Sequence, residues 1–232
     1  MNLYFIILVS ILLAVISFSI YNEIKDQKLL KTVTNRNRGT WSERKMVLKL
    51  LKSGIKSTAV FHDLYLDTGN NNFSQIDLVV ATKVGIMVFE IKDYKGWIFG
   101  TETQRNWTQL LSYGEEKYQF YNPILQNNKH IADLKKAYLF DNVPFFSIIV
   151  FFGDCELKNE LILPQNTFVE YASTVMNTVD EIITSNPPAN YLDKWEIVRV
   201  LEKAVKNGDD PNILKRHIEN ITKLKSRYKR FT

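Results

Sequence analysis

Apolar residues fall into three patterns along this chain, and each predicts a different kind of element. From Leu3 to Tyr21 no charged residue interrupts them, and at about 1.5 Å rise per residue that run nearly crosses a hydrocarbon layer ~30 Å thick. From Ser42 to Lys52 they recur at helical spacing, at Met46, Val47, Leu50 and Leu51, so an amphipathic helix is expected. Between these and the C-terminal third, short β-branched and aromatic runs predict strands at 59–66, 75–81, 85–92, 98–102 and 168–170. The run 145–152 is apolar throughout, as expected of a strand buried on both faces. Asn122-Pro123 has the form of an N-cap with proline in the first turn, opening a helix to about Tyr138. From Ala172 the pattern is helical, with breaks at Asn186-Pro-Pro188 and 207–211. The fold class is therefore α/β: a mixed sheet flanked by helices, preceded by an apolar helix and followed by a helical region.

Charge sharpens this division. The anchor (1–22) is followed by a basic stretch, 23–38, with Lys25, Lys28, Lys31, Arg36 and Arg38, which reads as a juxtamembrane linker. Nothing basic precedes the apolar run, so the positive-inside rule places the bulk of the chain in the cytoplasm. A cleaved signal peptide would show a basic n-region and a small-residue cleavage site, and neither is present, so an uncleaved single span is expected. Residues 39–170 form the α/β domain and 171–232 the helical C-terminal region. The lone Cys155 precludes an internal disulfide and any cysteine-built zinc site. A net charge of +5 and the basic run from Lys215 to Arg230 lean toward an anionic partner, although such runs are more often solvated faces.

Candidate chemistry sits on the hairpin 75–92. If the turn is centred between Lys83 and Val84, Asp77 faces Glu90 and Gln75 faces Lys92, and side-chain alternation puts Gln75, Asp77 and Val79 on one face with Val88, Glu90 and Lys92. Two carboxylates directly opposed, with Cβ atoms roughly 5 Å apart, destabilise a sheet unless something neutralises them. Hard oxygen ligands on a rigid element suit Mg²⁺ or Mn²⁺. Such an ion activates water and offsets charge on a phosphodiester, and Lys92 on the same face could hold the attacking water. Glu43 lies on the apolar stripe of its helix, where an unpaired carboxylate is costly. It could be a further metal ligand, or it could merely close the Thr40-Trp-Ser-Glu43 capping box.

The ordered set Gln75-Ile-Asp77, Gly85 to Glu90-Ile-Lys92-Asp-Tyr-Lys-Gly96, Trp107, Asn122-Pro123, Gln126 and His130 resembles the nuclease-related domain family, NERD, placed by similarity in the PD-(D/E)XK superfamily of restriction-endonuclease-like folds. The likeness covers about Gly39 to Tyr138. It departs from the family where Ser42 stands in place of the usual glycine before Glu43, and where Leu78 follows Asp77 in place of a frequent histidine. The resemblance implies Asp77, Glu90 and Lys92 as catalytic groups, Asp77, Glu90 and Glu43 as metal ligands, and Gln75, Gln126 and His130 as auxiliaries. It further implies a metal-dependent nuclease acting on DNA, or less readily RNA. A tethered nucleic-acid- or protein-binding module of the same fold is the alternative. Trp97, Trp107 and the tyrosines from Tyr113 to Tyr121 could stack on bases or serve as packing.

Overall fold

The computed structural model describes residues 3–111, 114–138 and 143–228. Six helices and nine strands follow one another as α1 (Leu3–Leu30), α2 (Trp41–Lys52), β1 (Val60–Gly69), β2 (Asn72–Thr82), β3 (Gly85–Asp93), β4 (Gly96–Phe99), β5 (Asn106–Leu111), β6 (Glu116–Tyr121), α3 (Pro123–Tyr138), β7 (Phe145–Phe152), β8 (Cys155–Leu157), β9 (Thr167–Tyr171), α4 (Val175–Ser185), α5 (Lys194–Asn207) and α6 (Pro211–Tyr228).

The main sheet has the order β1-β2-β3-β7-β9. Its first three strands form an antiparallel meander, because two-residue turns suffice to join them: Asn70 and Asn71 both adopt positive φ (53° and 58°), the backbone a tight hairpin needs. The second hairpin is centred between Lys83 and Val84 as expected, with Thr82 opposite Gly85 and Val79 opposite Val88. β7 then joins β3 in parallel through the helical crossover α3, and β9 adds in parallel beyond it.

Helices cover both faces. On one, Met46, Val47, Leu50 and Leu51 of α2 and Val175, Val179 and Ile182 of α4 pack on Leu78, Val80, Met87, Phe89, Ile148 and Val150. On the other, Leu134 of α3 and Ile197, Leu201 and Ala204 of α5 pack on Val79, Ile86 and Val88. All eight residues of β7 are buried, which accounts for its unbroken apolar sequence. The C-terminal helices α4 and α5 thus contribute to the same two cores as the sheet.

A second sheet, β6-β5-β4-β8, stands apart from the first. The strand expected at 98–102 is shifted here and lies outside the main sheet: β4 spans Gly96–Phe99 and pairs with β5 and β8. Trp107 is fully buried and stacks on Phe151, with its indole N–H donated to the Thr101 carbonyl, so this side chain is core and not a base-stacking platform. Tyr118 and Tyr121 are exposed, whereas Tyr113 lies outside the described residues.

The apolar part of α1 is exposed on every side, and this helix is long and apolar enough to cross a membrane. It does not stop at the first charge. It runs on to Leu30, Leu29 and Leu30 enter the core beside α2, and Asp26 pairs with Lys52 at 2.6 Å. Residues 23–30, expected to belong to a linker, therefore continue α1 as helix and pack against α2.

Candidate active site

The acidic hairpin opens where its chemistry begins. Ladder pairing between β2 and β3 ends at Leu78 opposite Phe89. One step further, Asp77 Oδ2 accepts the Ile91 backbone N–H at 2.8 Å, so a side chain replaces a strand partner. Glu90 on the neighbouring strand is 1% exposed. Its Oε1 pairs with Lys92 Nζ at 2.6 Å, and Lys92 also donates to Gln126 Oε1 at 3.2 Å. On the far side His130 Nε2 lies 3.5 Å from Glu90 Oε2, and the Ser74 hydroxyl meets His130 Nδ1 at 3.0 Å. Gln126 and His130 reach the site together because they lie four residues apart on α3, whose start is fixed by Asn122 Oδ1 accepting the Ile124 N–H.

A second carboxylate–imidazole–hydroxyl chain runs from Glu43 of α2 through His62 of β1 to Thr34. Thr40 caps that helix, accepting the Glu43 N–H, and its hydroxyl donates to Glu43 Oε1 at 2.8 Å. Glu43 Oε2 faces His62 Nε2 at 3.3 Å, and His62 Nδ1 meets the Thr34 hydroxyl at 2.7 Å. Glu43 is thus tied into its helix cap, one of the two roles that the sequence leaves open for it beside that of metal ligand, and it also faces a buried imidazole. The chain passes Glu43 and His62 so closely at Gly39 (φ 59°) that a Cβ there would strike both side chains.

Gln75 is placed differently from expectation. It pairs with Tyr65 on β1 and donates to Asp63 Oδ1 at 3.1 Å, away from Lys92. The cause is Asp63, which adopts φ 53° and drops out of the ladder between the pairs His62–Leu78 and Leu64–Ile76. Alternation slips there: Phe61 and Leu64 join the same core, as do Ile76 and Val79. Asp63 is held in this uncommon backbone state by Arg38, which donates to its carbonyl oxygen at 2.6 Å and to Oδ2 at 3.4 Å, and which also reaches Asp209 at 3.1 Å. Arg38, His62, Asp63 and Ser74 were not singled out in the sequence for these contacts. The signal that could have found two of them is the polar pair His62-Asp63 set inside the apolar run of β1.

Electrostatics bind these groups into one system. Burial, then Glu90 and Glu43, push the Asp77 carboxyl well above its ordinary range, against the opposing pull of Lys92 and the Ile91 N–H. Burial pulls Lys92 down, but Glu90 and Asp77 outweigh it and raise the ammonium, which therefore stays charged at neutral pH. Burial pushes Glu43 up, yet His62 and Thr40 prevail and hold it below its usual value. Three carboxyl groups, Asp77, Glu90 and Glu43, thus act on one another around the ammonium of Lys92. In addition, Glu43 Oε2 and Glu90 Oε2 are buried without a hydrogen bond, because their imidazole neighbours are close but not aligned for one.

These features fit a divalent cation held by carboxylate oxygens, since Mg²⁺ typically takes only one or two carboxylates and fills its shell with water. Among the described residues, no three His, Cys, Asp or Glu side chains are gathered into a metal-holding group, so the protein supplies a partial shell at most. Cys155 adds nothing to it: burial pushes its thiol up to about 11, so it stays protonated at neutral pH.

The fold is thus an α/β domain with a buried acidic hairpin, and comparison with known proteins supplies the family. The model of the nuclease-related domain matches residues 38–152. An uncharacterized protein of Bacillus anthracis is 30% identical over 155 residues, spanning 65% of this chain and 72% of that protein. The chain belongs to the nuclease-related domain (NERD) family. No solved structure matches it.

Proposed function

We propose that this protein is a membrane-anchored nuclease that hydrolyses phosphodiester bonds of DNA with the aid of Mg²⁺ or Mn²⁺, its catalytic domain lying on the cytoplasmic side of a single N-terminal span. The observation that carries the reading is the convergence of Glu90, Lys92 and Asp77 at the point where β2 and β3 part. Family membership supports the nuclease-related class, and the basic residues that follow the apolar part of α1 support the orientation.

In this mechanism Asp77 and Glu90 would hold the cation, with the Ile91 carbonyl as a further oxygen donor, while Glu43, engaged with Thr40 and His62, would act on the site through its charge. When bound, a divalent cation supplies Lewis acidity to the scissile phosphate and makes water a competent nucleophile at neutral pH. Lys92, protonated and steadied by Gln126, orients that water and offsets charge developing on the phosphate. It is too strongly protonated to act as the base. His130, backed by Ser74, stands 3.5 Å from the second oxygen of Glu90, which makes no hydrogen bond of its own and so keeps a lone pair for a ligand. A second reading, a tethered binding module of the same fold, is favoured by one observation: the described residues gather no three-membered ligand group.

The two readings separate in one assay. The full chain in detergent is incubated with supercoiled plasmid, single-stranded DNA and RNA in Mg²⁺, Mn²⁺ or chelator. Metal-dependent nicking is the expected result, with DNA cut in preference to RNA. Binding with no cleavage under any metal would leave the module reading in its place.

A further inference from the structure

A cleft of about 370 Å³ opens beside the candidate active site and shares Gln126 and His130 with it. Its other walls come from the β1–β2 hairpin, through Asn72, Phe73 and Gln75, and from α6, through His217 and Asn220, with Lys129 of α3 at the edge. α6 lies beyond residue 152, where the family match ends. It is nevertheless fastened to the hairpin: Asn220 donates to Asn72 Oδ1 at 3.0 Å, Arg216 to Asn71 Oδ1 at 3.3 Å, His217 Nδ1 meets the Phe73 carbonyl at 3.2 Å, and the Tyr65 ring packs edge-on against His217. Upstream, the Arg38–Asp209 pair and the Asn207 amide on the Tyr65 carbonyl hold the start of the helix against the same strand.

The lining chemistry identifies an occupant. Among the described residues no carboxylate lines the cleft although the adjoining site is acidic, and the walls offer side-chain amides, two imidazoles, two hydroxyls, one ammonium and one aromatic ring. Amides hydrogen-bond base edges, aromatic faces stack on bases, and an ammonium pairs with phosphate. A cleft of this size falls in the range of small-molecule sites, roughly 300–1,000 Å³, and so admits a nucleotide unit whose base is free of a complementary strand. Resting on the nuclease reading above, we infer that α6 and the β1–β2 hairpin form a single-strand pocket, which lodges the nucleotide next to the phosphate presented to Glu90 and Lys92. The C-terminal helix thereby sets substrate class, selecting single-stranded over duplex DNA.

The test is equilibrium binding by fluorescence anisotropy, using the full chain in chelator so that nothing is cut, with a labelled mixed-sequence single strand and the duplex of the same length. The single strand is expected to bind more tightly. Asn220→Ala and Phe73→Leu should each weaken single-strand binding about fivefold or more, the scale of one lost base contact, while duplex binding is unchanged. Lys129→Ala should lower the slope of log affinity against log salt by about 0.7, one phosphate contact on a single strand. Asn220 is half-buried and hydrogen-bonds Asn72, so a melting curve checks that its variant keeps the fold, and Phe73→Leu, which leaves that bond in place, reads the pocket independently. Equal affinity for single strand and duplex, or variants that bind the single strand as wild type does, would overturn the pocket. Cleavage reports separately: a single-strand preference that depends on Asn220 without any cleavage spares the pocket and removes the hydrolase, whereas metal-dependent cleavage with unaltered binding in the variants removes the pocket alone.

Discussion

Asp77→Asn will make the metal-free protein more stable while abolishing cleavage. Burial and the neighbouring acids Glu90 and Glu43 raise the Asp77 carboxyl in the folded protein, so the folded state binds its proton more tightly than the unfolded state does. Stability then falls as pH rises from the ordinary carboxylate value of 3.8 through the raised folded value, because over that window the native state holds more protons. At neutral pH this buried, raised carboxyl is a net cost in the absence of a cation. Asparagine keeps an oxygen for the Ile91 N–H and removes the charge. The expected gain is about 0.5–2 kcal/mol, or roughly 2–4 °C in midpoint per kcal/mol for a protein of this size. Thermal unfolding in chelator between pH 4 and 8 measures it: the gap between variant and wild type should be widest near pH 8 and should close as the pH falls. Cleavage by the same variant should drop by at least about 100-fold, the scale of losing one preorganised electrostatic partner. A variant that melts below wild type at pH 8 would show that Asp77 is a stabilising structural acid.

Arg38→Ala will have the largest effect on the fold. Arg38 and Asp63 are both buried, and the guanidinium satisfies the Asp63 carboxylate and carbonyl while reaching Asp209 on the turn before α6. Removing one partner of a buried pair leaves an uncompensated charge and costs about 3–5 kcal/mol, a large fraction of a total stability of about 5–15 kcal/mol. The positive φ of Asp63 would lose its brace, and with it the slip in β1 that places Asp77 beside the parting of β2 and β3. Urea unfolding measures the loss. Adding Asp63→Asn should restore part of it, because the stranded charge is then gone. A loss below about 1 kcal/mol would mean that the pair behaves like an exposed one.

The parts of this structure that could be read from the sequence are those fixed by local rules. The turn at Lys83 and Val84 fixes the register from Leu78 to Phe89, and that brings the segments bearing Asp77 and Glu90 together. Asn122-Pro123 starts α3 where its capping chemistry says it should, and that start delivers Gln126 to Lys92 and His130 to Glu90. What escaped the sequence depends on partners far along the chain. Gln75 fails to meet Lys92 because Arg38 stabilises an unusual backbone at Asp63, and no periodicity within β2 carries that information. The second sheet was missed for a different reason: β6 is almost wholly exposed and carries mixed charge and aromatic residues, so its sequence shows no inward face. The Glu43–His62–Thr34 and Glu90–His130–Ser74 chains likewise join residues 28 and 56 positions apart at their hydroxyl–imidazole contacts.

The claim on which the rest depends is that Asp77 and Glu90 share one divalent cation beside a charged Lys92. Titration of the full chain with Mn²⁺ at neutral pH, followed by the electron paramagnetic resonance signal of the free ion, tests it without reference to any substrate. The wild-type chain should deplete that signal until one site per chain is filled, and Glu90→Gln and Asp77→Asn should each remove the depletion. Uptake of Mn²⁺ by both variants equal to that of wild type would contradict the shared site.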